Sequence, residues 1–391
     1  MLKVMRYLFF VVFFLYLWLG YIFNAVLPIG FFDEIVLVLF VFLLSQRNNN
    51  KEMLFFYGIS LFYIVYSLFY SVNRSYPAII SDAIQQIKPY VFFYTFYLYH
   101  PHFTRKQIKW FNYSIYIGVL LTIASFFYDS TYYSGLYTHP AEQGNCMFSF
   151  AMFYYFINDH DKKTSVVTVL ILILGLLSTR SKYYGEFIIA IYFLFLVKKK
   201  IKFNLKYIFA GCLVFLLLIV VSWEKIQSNF YLEGDYERSA RAVLYACMPK
   251  VLIDYFPFGS GLASYATYFS GEYYSPLYDK LKISDVWGIS RSMKNFIADT
   301  FFPSLAQLGI VGVALYICFW RNRILSIIRG KLSFNYKIGF AIFLYFMIDG
   351  VAAPGFVTVY SFIPLYILAK VCRASDFQSA NIHLFSYLEK V

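Results

Sequence analysis

Glu237-Arg238-Ser239-Ala240-Arg241, Pro257-Phe258-Gly259-Ser260-Gly261 and Asn295-Phe296-Ile297-Ala298-Asp299 mark the opening, the turn and the close of one polar stretch in an otherwise apolar chain. The stretch runs from Trp223 to Phe296, about 75 residues, and separates two sets of apolar segments of bilayer-spanning length. It is not a disordered linker, because it is dense in aromatic residues: Tyr231, Tyr236, Tyr245, Tyr255, Phe256, Tyr265, Tyr268, Tyr273, Tyr274, Tyr278 and Trp287. Its reading as a folded loop between membrane segments decides the fold. The flanks are membrane, and the loop is where chemistry has room.

The flanks follow from composition. With 391 residues of which 60% are hydrophobic and 14% charged, the chain has too little polar surface to cover a soluble core. The 46 Phe and 39 Tyr exceed what interfacial belts use, so aromatic rings are also expected to line internal cavities. A net charge of +13 is no sign of nucleic acid here, because membrane proteins carry excess Lys and Arg in their cytoplasmic loops. Of the five cysteines only Cys247 falls in the loop, so no loop disulfide is expected.

Counting about 20 apolar residues per crossing gives about twelve spans, near 6-24, 30-45, 53-72, 79-99, 110-128, 141-157, 165-179, 182-197, 205-222, 299-320, 336-353 and 355-371. The expected fold class is therefore an all-α polytopic membrane protein with one large periplasmic loop carrying short helices. The domains are an N-terminal bundle over 1-222, the loop over 223-298, and a C-terminal bundle with a cytoplasmic tail over 299-391. The first span lacks a small-residue cleavage site and reads as an uncleaved helix.

Lys and Arg alternate between successive connections. Lys3 with Arg6, Arg47 with Lys51, Arg105-Lys106-Lys109, Lys162-Lys163, Lys198 to Lys206, Arg321 to Lys337, and Lys370 with Arg373 all fall on one side. That side is cytoplasmic, so both termini are inside and the long loop is outside. Asp33, Glu34, Asp82, Glu142, Arg180, Lys182, Glu186 and Asp349 then come out near the outer ends of their helices, as if a polar site opened outward. Lys88, beside Pro89, sits deeper and is the least comfortable charge of the set. Any one of these may be read more plainly as a side chain reaching for the headgroups.

Within the loop, residues from about Arg238 to Ile253 read as an amphipathic helix with Arg238, Arg241 and Tyr245 on one face, ended by Pro257, Gly259 and Gly261. No Cys/His metal cluster, nucleotide-binding loop or nucleophile elbow is present in the sequence, so neither metal nor cofactor is expected. Asp159-His160-Asp161, His100 and His102 read as solvated turns. What remains is a set of outward arginines, Arg180, Arg238, Arg241 and Arg291, whose planar forks suit phosphate and whose charge neutralises a departing pyrophosphate. The plainer reading of each is a pairing with a nearby carboxylate. Candidate bases for a sugar hydroxyl are Glu142, Asp254, Asp299 and Asp349, with His139. The plain reading of His139 and Glu142 is a Pro-containing helix start. Loop tyrosines, Tyr273 and Tyr274 among them, have rings able to stack on sugar faces.

Gly135-Leu136-Tyr137-Thr138-His139-Pro140 before a span, Ser178-Thr179-Arg180-Ser181 between two spans, Arg241 followed by Phe256-Pro257-Phe258-Gly259-Ser260-Gly261, and Gln307-Leu308-Gly309-Ile310-Val311-Gly312 after the loop come in an order that resembles the Wzy-type O-antigen polymerases and the related O-antigen ligases. The resemblance covers about residues 130 to 320 and extends beyond them only by span count. It implies a multi-pass glycosyltransferase of lipopolysaccharide biosynthesis in the bacterial inner membrane. Such an enzyme joins undecaprenyl-pyrophosphate-linked oligosaccharide repeats at the periplasmic face. It also implies catalytic roles for Asp299, Glu142 and His139, and pyrophosphate binding by Arg180, Arg241, Arg238 and Arg291. Substrate contacts would come from Tyr137, Lys182, Tyr245, Tyr273 and Tyr274. Expected partners are the lipid-linked oligosaccharides, membrane lipid, a chain-length-regulating membrane protein and a flippase. Ligases typically carry a His-Asn pair where this chain reads Asn295-Phe296-Ile297-Ala298-Asp299, a departure that favours the polymerase. Alternatives are a ligase-like transferase, a flippase or exporter of the same lipid-linked sugar, or a structural clamp for other envelope enzymes. The chain shows no internal repeat of the kind transporters are built from.

Overall fold

Runs of apolar and aromatic residues uninterrupted by Gly or Pro satisfy their own backbone groups as helices, the only open-chain solution in an apolar medium. A computed structural model of the chain describes residues 2–24, 32–46, 51–128, 136–137, 139–197, 239–293, 299–330 and 333–388. Among these there is no strand. The helices are α1 Leu2–Leu15, α2 Phe32–Ser45, α3 Lys51–Tyr70, α4 Tyr76–Tyr99, α5 Arg105–Tyr128, α6 Pro140–Ile157, α7 Lys162–Gly175 and α8 Ser181–Ile191. They continue with α9 Ala240–Asp254, α10 Tyr268–Glu272, α11 Leu277–Lys280, α12 Phe301–Ser304, α13 Gly309–Arg329, α14 Ser333–Ala352 and α15 Phe362–Leu388. Among the described residues, five segments, Lys3–Ile22, Glu52–Tyr70, Arg105–Phe127, Phe301–Arg329 and Phe334–Ala352, are long and apolar enough to cross a membrane. The expected ninth span (205-222), Arg238 with the first part of the loop, and 294-298 lie outside the described residues.

Two expected spans open on irregular turns before their long helices begin. The tenth, expected from 299, becomes a short helix and a 3-10 turn before α13 begins at Gly309, whose φ of +65° bends the chain there. The twelfth, expected from 355, first makes two 3-10 turns at Gly355–Val357 and Val359–Ser361 and enters α15 only at Phe362. Pro354, which cannot donate a backbone hydrogen bond, precedes those turns.

Some of the surplus aromatic rings line a cavity, as expected, with Phe56, Tyr63, Tyr90, Tyr94, Tyr316 and Phe319 around a volume of about 210 Å³; much of the rest fills the helical core. Phe362 at the head of α15 is the hub. Tyr16 stacks on it with ring centroids 3.7 Å apart, and Phe13, Phe92 and Phe96 close around it at 4.9, 5.2 and 5.1 Å. All five rings are fully buried. Tilted and edge-on pairs of this kind add about 0.5–1.5 kcal/mol each beyond the area they bury.

Two of the charges expected to face outward, Asp33 and Asp82, are internal fastenings instead, as is the deeper Lys88. Lys88 donates to Asp33 at 2.7 Å, and Asp33 accepts the Tyr16 hydroxyl at 2.6 Å, so α1, α2 and α4 are tied by one buried network. Opening such a pair by removing one partner typically costs about 3–5 kcal/mol. Asp82, fully buried on α4, accepts the Ala263 backbone N–H at 2.7 Å and the Gln307 side-chain amide at 2.9 Å.

Asp82 thereby fixes the loop to the bundle. The described part of the loop has its own small core of Val243, Leu244, Val251, Tyr265, Leu277, Tyr278, Ile283 and Ile289. Its turn then docks against the start of α13. Gly259 and Gly309 approach so closely that a Cβ on Gly259 would meet the Gln307 carbonyl oxygen at 2.3 Å, and Gly259 holds a φ of +86° that only glycine adopts freely. Gly261 N–H donates to Gln307 O, Tyr66 donates to Gly259 O and Tyr63 to Leu308 O. Two motifs some fifty positions apart thus form one rigid joint, with α9 rising from it.

Candidate functional site

The ends of four helices and the close of the loop converge at one end of the bundle. His139 caps α6, its Nδ1 accepting the Ala141 N–H at 3.1 Å, with Pro140 supplying a preset φ at the first helical position. Thr179 takes a φ of +51° to end the turn after α7, which puts Arg180 at the cap of α8 and its Nη2 3.1 Å from His139 Nε2. A neutral imidazole has one N–H, so with Nδ1 serving the helix cap the remaining proton faces a guanidinium. In that tautomer two donors face each other, so Nε2 accepts no hydrogen bond from Arg180. Desolvation first, then the positive charges of Arg180, Lys182 and Arg241, push the His139 pKa down to about 4. The ring is therefore poorly placed to take a proton.

Lys182, at the start of α8, reaches across to α14 and pairs with Asp349 Oδ1 at 2.5 Å, both side chains being buried. From the loop side, α9 presents Arg241 and Tyr245 one turn apart. Tyr245 donates its hydroxyl to Val351 O at 3.0 Å, strapping α9 onto the last turn of α14. Arg241 is half-buried between the charges of Asp299 and Arg180; burial lowers its pKa and Asp299 opposes that. Desolvation raises the pKa of Asp299 to about 6, against the pull of Arg241 and Lys182. Arg180, Lys182, Arg241, His139, Asp299 and Asp349 therefore act on one another as a single electrostatic unit.

The other expected site residues divide. Glu142, in the first turn of α6, faces Tyr137, Cys146 and Tyr360 and lies under the cluster. Tyr137 is buried and its hydroxyl is bonded to Thr122 at 2.8 Å, which makes it a packing residue. Tyr245 has spent its hydroxyl on the strap. Arg291 is exposed, pairs with Asp279 at 2.6 Å and lies over the Tyr274 ring, so its contacts are with the loop's own surface. Tyr274 is covered by that guanidinium, while Tyr273 remains 40% exposed. Asp254 pairs with Lys250 on the exposed side of α9. Arg238 lies outside the described residues. Asp161, in the turn before α7, caps that helix by accepting the Thr164 N–H at 2.7 Å, and His160 stacks on Phe334.

Two residues of this end were not singled out for a role by sequence reasoning. Tyr268, on α10, is 41% exposed and acts on Asp299. Glu186, one turn below Lys182 on α8, is fully buried with neither carboxylate oxygen hydrogen-bonded. Its spacing from Lys182 was the only signal available. No protein-family model and no curated protein matches the chain.

Proposed function

We propose that the chain is a polysaccharide polymerase that joins lipid-pyrophosphate-linked oligosaccharide repeats at the outer face of a membrane. The observation that carries the reading is the convergence of Arg180, Lys182 and Arg241 with Asp299 at the end of the bundle that the loop covers. Two arginines and a lysine can neutralise a diphosphate without a metal, and preorganised cations of this kind stabilise charge as it develops on a leaving group. A carboxylate beside them supplies the complementary need, a base for the incoming hydroxyl.

In the step so read, the acceptor hydroxyl oxygen bonds to the anomeric carbon of the donor while the bond from that carbon to the pyrophosphate oxygen breaks. The electron pair leaves with the lipid pyrophosphate, held by Arg180 and Arg241. The hydroxyl proton passes to Asp299. Tyr268 and Tyr273, exposed beside Asp299 and on the adjoining turn, offer aromatic faces for the sugar. The orientation, with both termini cytoplasmic and about twelve crossings, rests on the alternation of basic loops. Reporter fusions at Lys162 and Lys199 should read cytoplasmic, and those at Gly271 external.

The test is the surface-polysaccharide ladder on a gel from cells lacking and regaining the gene. A polymerase gives one repeat in its absence and many on its return. Loss of all attached sugar would move the assignment to a ligase or flippase.

A further inference from the structure

Lys182 and Glu186 lie one turn apart on α8, and Tyr345 and Asp349 one turn apart on α14, so each helix turns a pair of polar groups to the other. The helices run antiparallel, since Lys182 near the start of α8 meets Asp349 near the end of α14 while Phe193 stacks on Phe340 farther along. Below the Lys182–Asp349 pair, Glu186 therefore lies abreast of Tyr345. Glu186, Tyr345 and Asp349 are each fully buried, and neither Glu186 oxygen, the Tyr345 hydroxyl nor Asp349 Oδ2 has a hydrogen-bond partner. The charges acting on Glu186 are Lys182 from its own helix and Asp349 from α14. Tyr345 carries the hydroxyl across from it, whereas the Tyr183 hydroxyl is committed to Leu172 O at 2.8 Å on α7. Two carboxylates thus share one ammonium in a place that excludes water. A second bare charge there is far costlier than a neutral acid.

We propose that Glu186 carries a proton and is the stand-in partner of Asp349, donating its O–H to Asp349 Oδ2 so that Lys182 is released to an incoming phosphate. The ammonium parked on Asp349 is then a reserve cation for the site. When it turns to a diphosphate, Glu186 keeps the Asp349 charge from being stranded in the bundle. Glu186 touches no substrate and is a positioning residue. The inference rests on the reading of the neighbouring cations as an anion site.

The probe is inorganic pyrophosphate, added to the purified full chain in lipid nanodiscs at about pH 8, where Asp299 is ionised. Infrared spectra of protein carrying isotope-labelled glutamate should contain a protonated-carboxyl band that moves with the label, is lost in Glu186→Gln, and shifts when pyrophosphate binds. Calorimetry should find pyrophosphate affinity retained in Glu186→Gln, whose amide still donates, and about tenfold to a hundredfold weaker in Glu186→Leu, which cannot. Absence of a label-sensitive band overturns the proposal without any variant. So does a bound pyrophosphate that leaves the band unmoved, or Glu186→Leu binding as tightly as the parent. Failure of the parent protein to bind pyrophosphate at all overturns the anion-site reading itself.

Discussion

Arg241→Ala removes the cation that α9 turns to the cluster, and the size of the loss can be worked out. Arg241 is half-buried, acts directly on Asp299 and Arg180, and is held by a helix anchored at both ends, through Tyr245 to Val351 and through Gly259 to Gln307. A preorganised donor of this kind, aimed at charge that develops in the transition state, is worth about 10²–10³ in rate, or about 2.7–4 kcal/mol. A second loss adds to it. Arg241 holds the Asp299 pKa down against desolvation, so its removal raises that value above about 6 and leaves less of the base ionised at neutral pH. Arg241→Lys keeps a charge and forfeits the paired fork, and should fall between the parent and the alanine variant. The assay is extension of lipid-linked repeats by purified protein in nanodiscs, with each variant matched for yield and elution profile. In cells the same order should appear as ladders shortening from parent to lysine to alanine. An Arg241→Ala protein that extends chains at the parent rate would reduce α9 to a packing element and remove the ground for the mechanism.

Asp82→Ala leaves the buried Ala263 N–H and Gln307 amide without their acceptor, at about 1–3 kcal/mol each, and limited proteolysis should cut the loop at lower protease concentration. Since Asp299 serves as a base only when ionised, extension should fall as the pH drops through about 6, and Arg241→Ala should move that fall to higher pH; an acid limb unchanged in Arg241→Ala would separate the two residues. Gly259→Ala forces a Cβ to within 2.3 Å of the Gln307 carbonyl oxygen at a positive φ, and should lower the thermal midpoint by the equivalent of at least about 1 kcal/mol, where an alanine at the open Gly58 should not.

What was legible in the sequence depended on the range of the physics. Helix positions rest on local apolar runs, and α1 to α8, with the π-helical turns Tyr16–Ile22 and Tyr192–Leu196 that continue α1 and α8, fall within about five residues of the segments read from hydropathy. The two irregular openings, before Gly309 and Phe362, come from backbone features that hydropathy averaging does not register. Arg180, Lys182, Arg241 and Asp299 were identifiable because polar groups in an apolar chain are conspicuous. Their mutual arrangement was not, because it depends on α8, α9 and α14 meeting across more than a hundred residues. For the same reason Asp33 and Asp82 looked like members of an open polar site, and Lys88 like a charge stranded deeper. A buried ion pair and a lone outward carboxylate have the same one-letter code, and only the partner distinguishes them. Tyr137 and Tyr245 show the converse, being in the right place with hydroxyls already committed.

The distribution of charge also bears on enzyme against transporter. A transporter needs polar groups that continue through the bundle and can be exposed in turn to either side. Several buried charges away from the cluster are closed on themselves. Lys88 pairs with Asp33, Arg323 pairs with Glu52 at 2.7 Å, Asp82 is held by amides, and Lys370 donates to Pro101 O at 3.1 Å. Within the cluster there is a gradient instead of a path. His139 and Arg180 are exposed, Arg241 is half-buried, and Asp349 and Glu186 are fully buried beneath them. On the proposed reading, cations thus lie where a diphosphate would arrive, with carboxylates under them; the Phe148–Tyr345 stack lies level with Glu186 and the Phe193–Phe340 stack below it. A polar recess floored by packed rings is suited to holding an anion while a bond is exchanged, and poorly suited to letting it through.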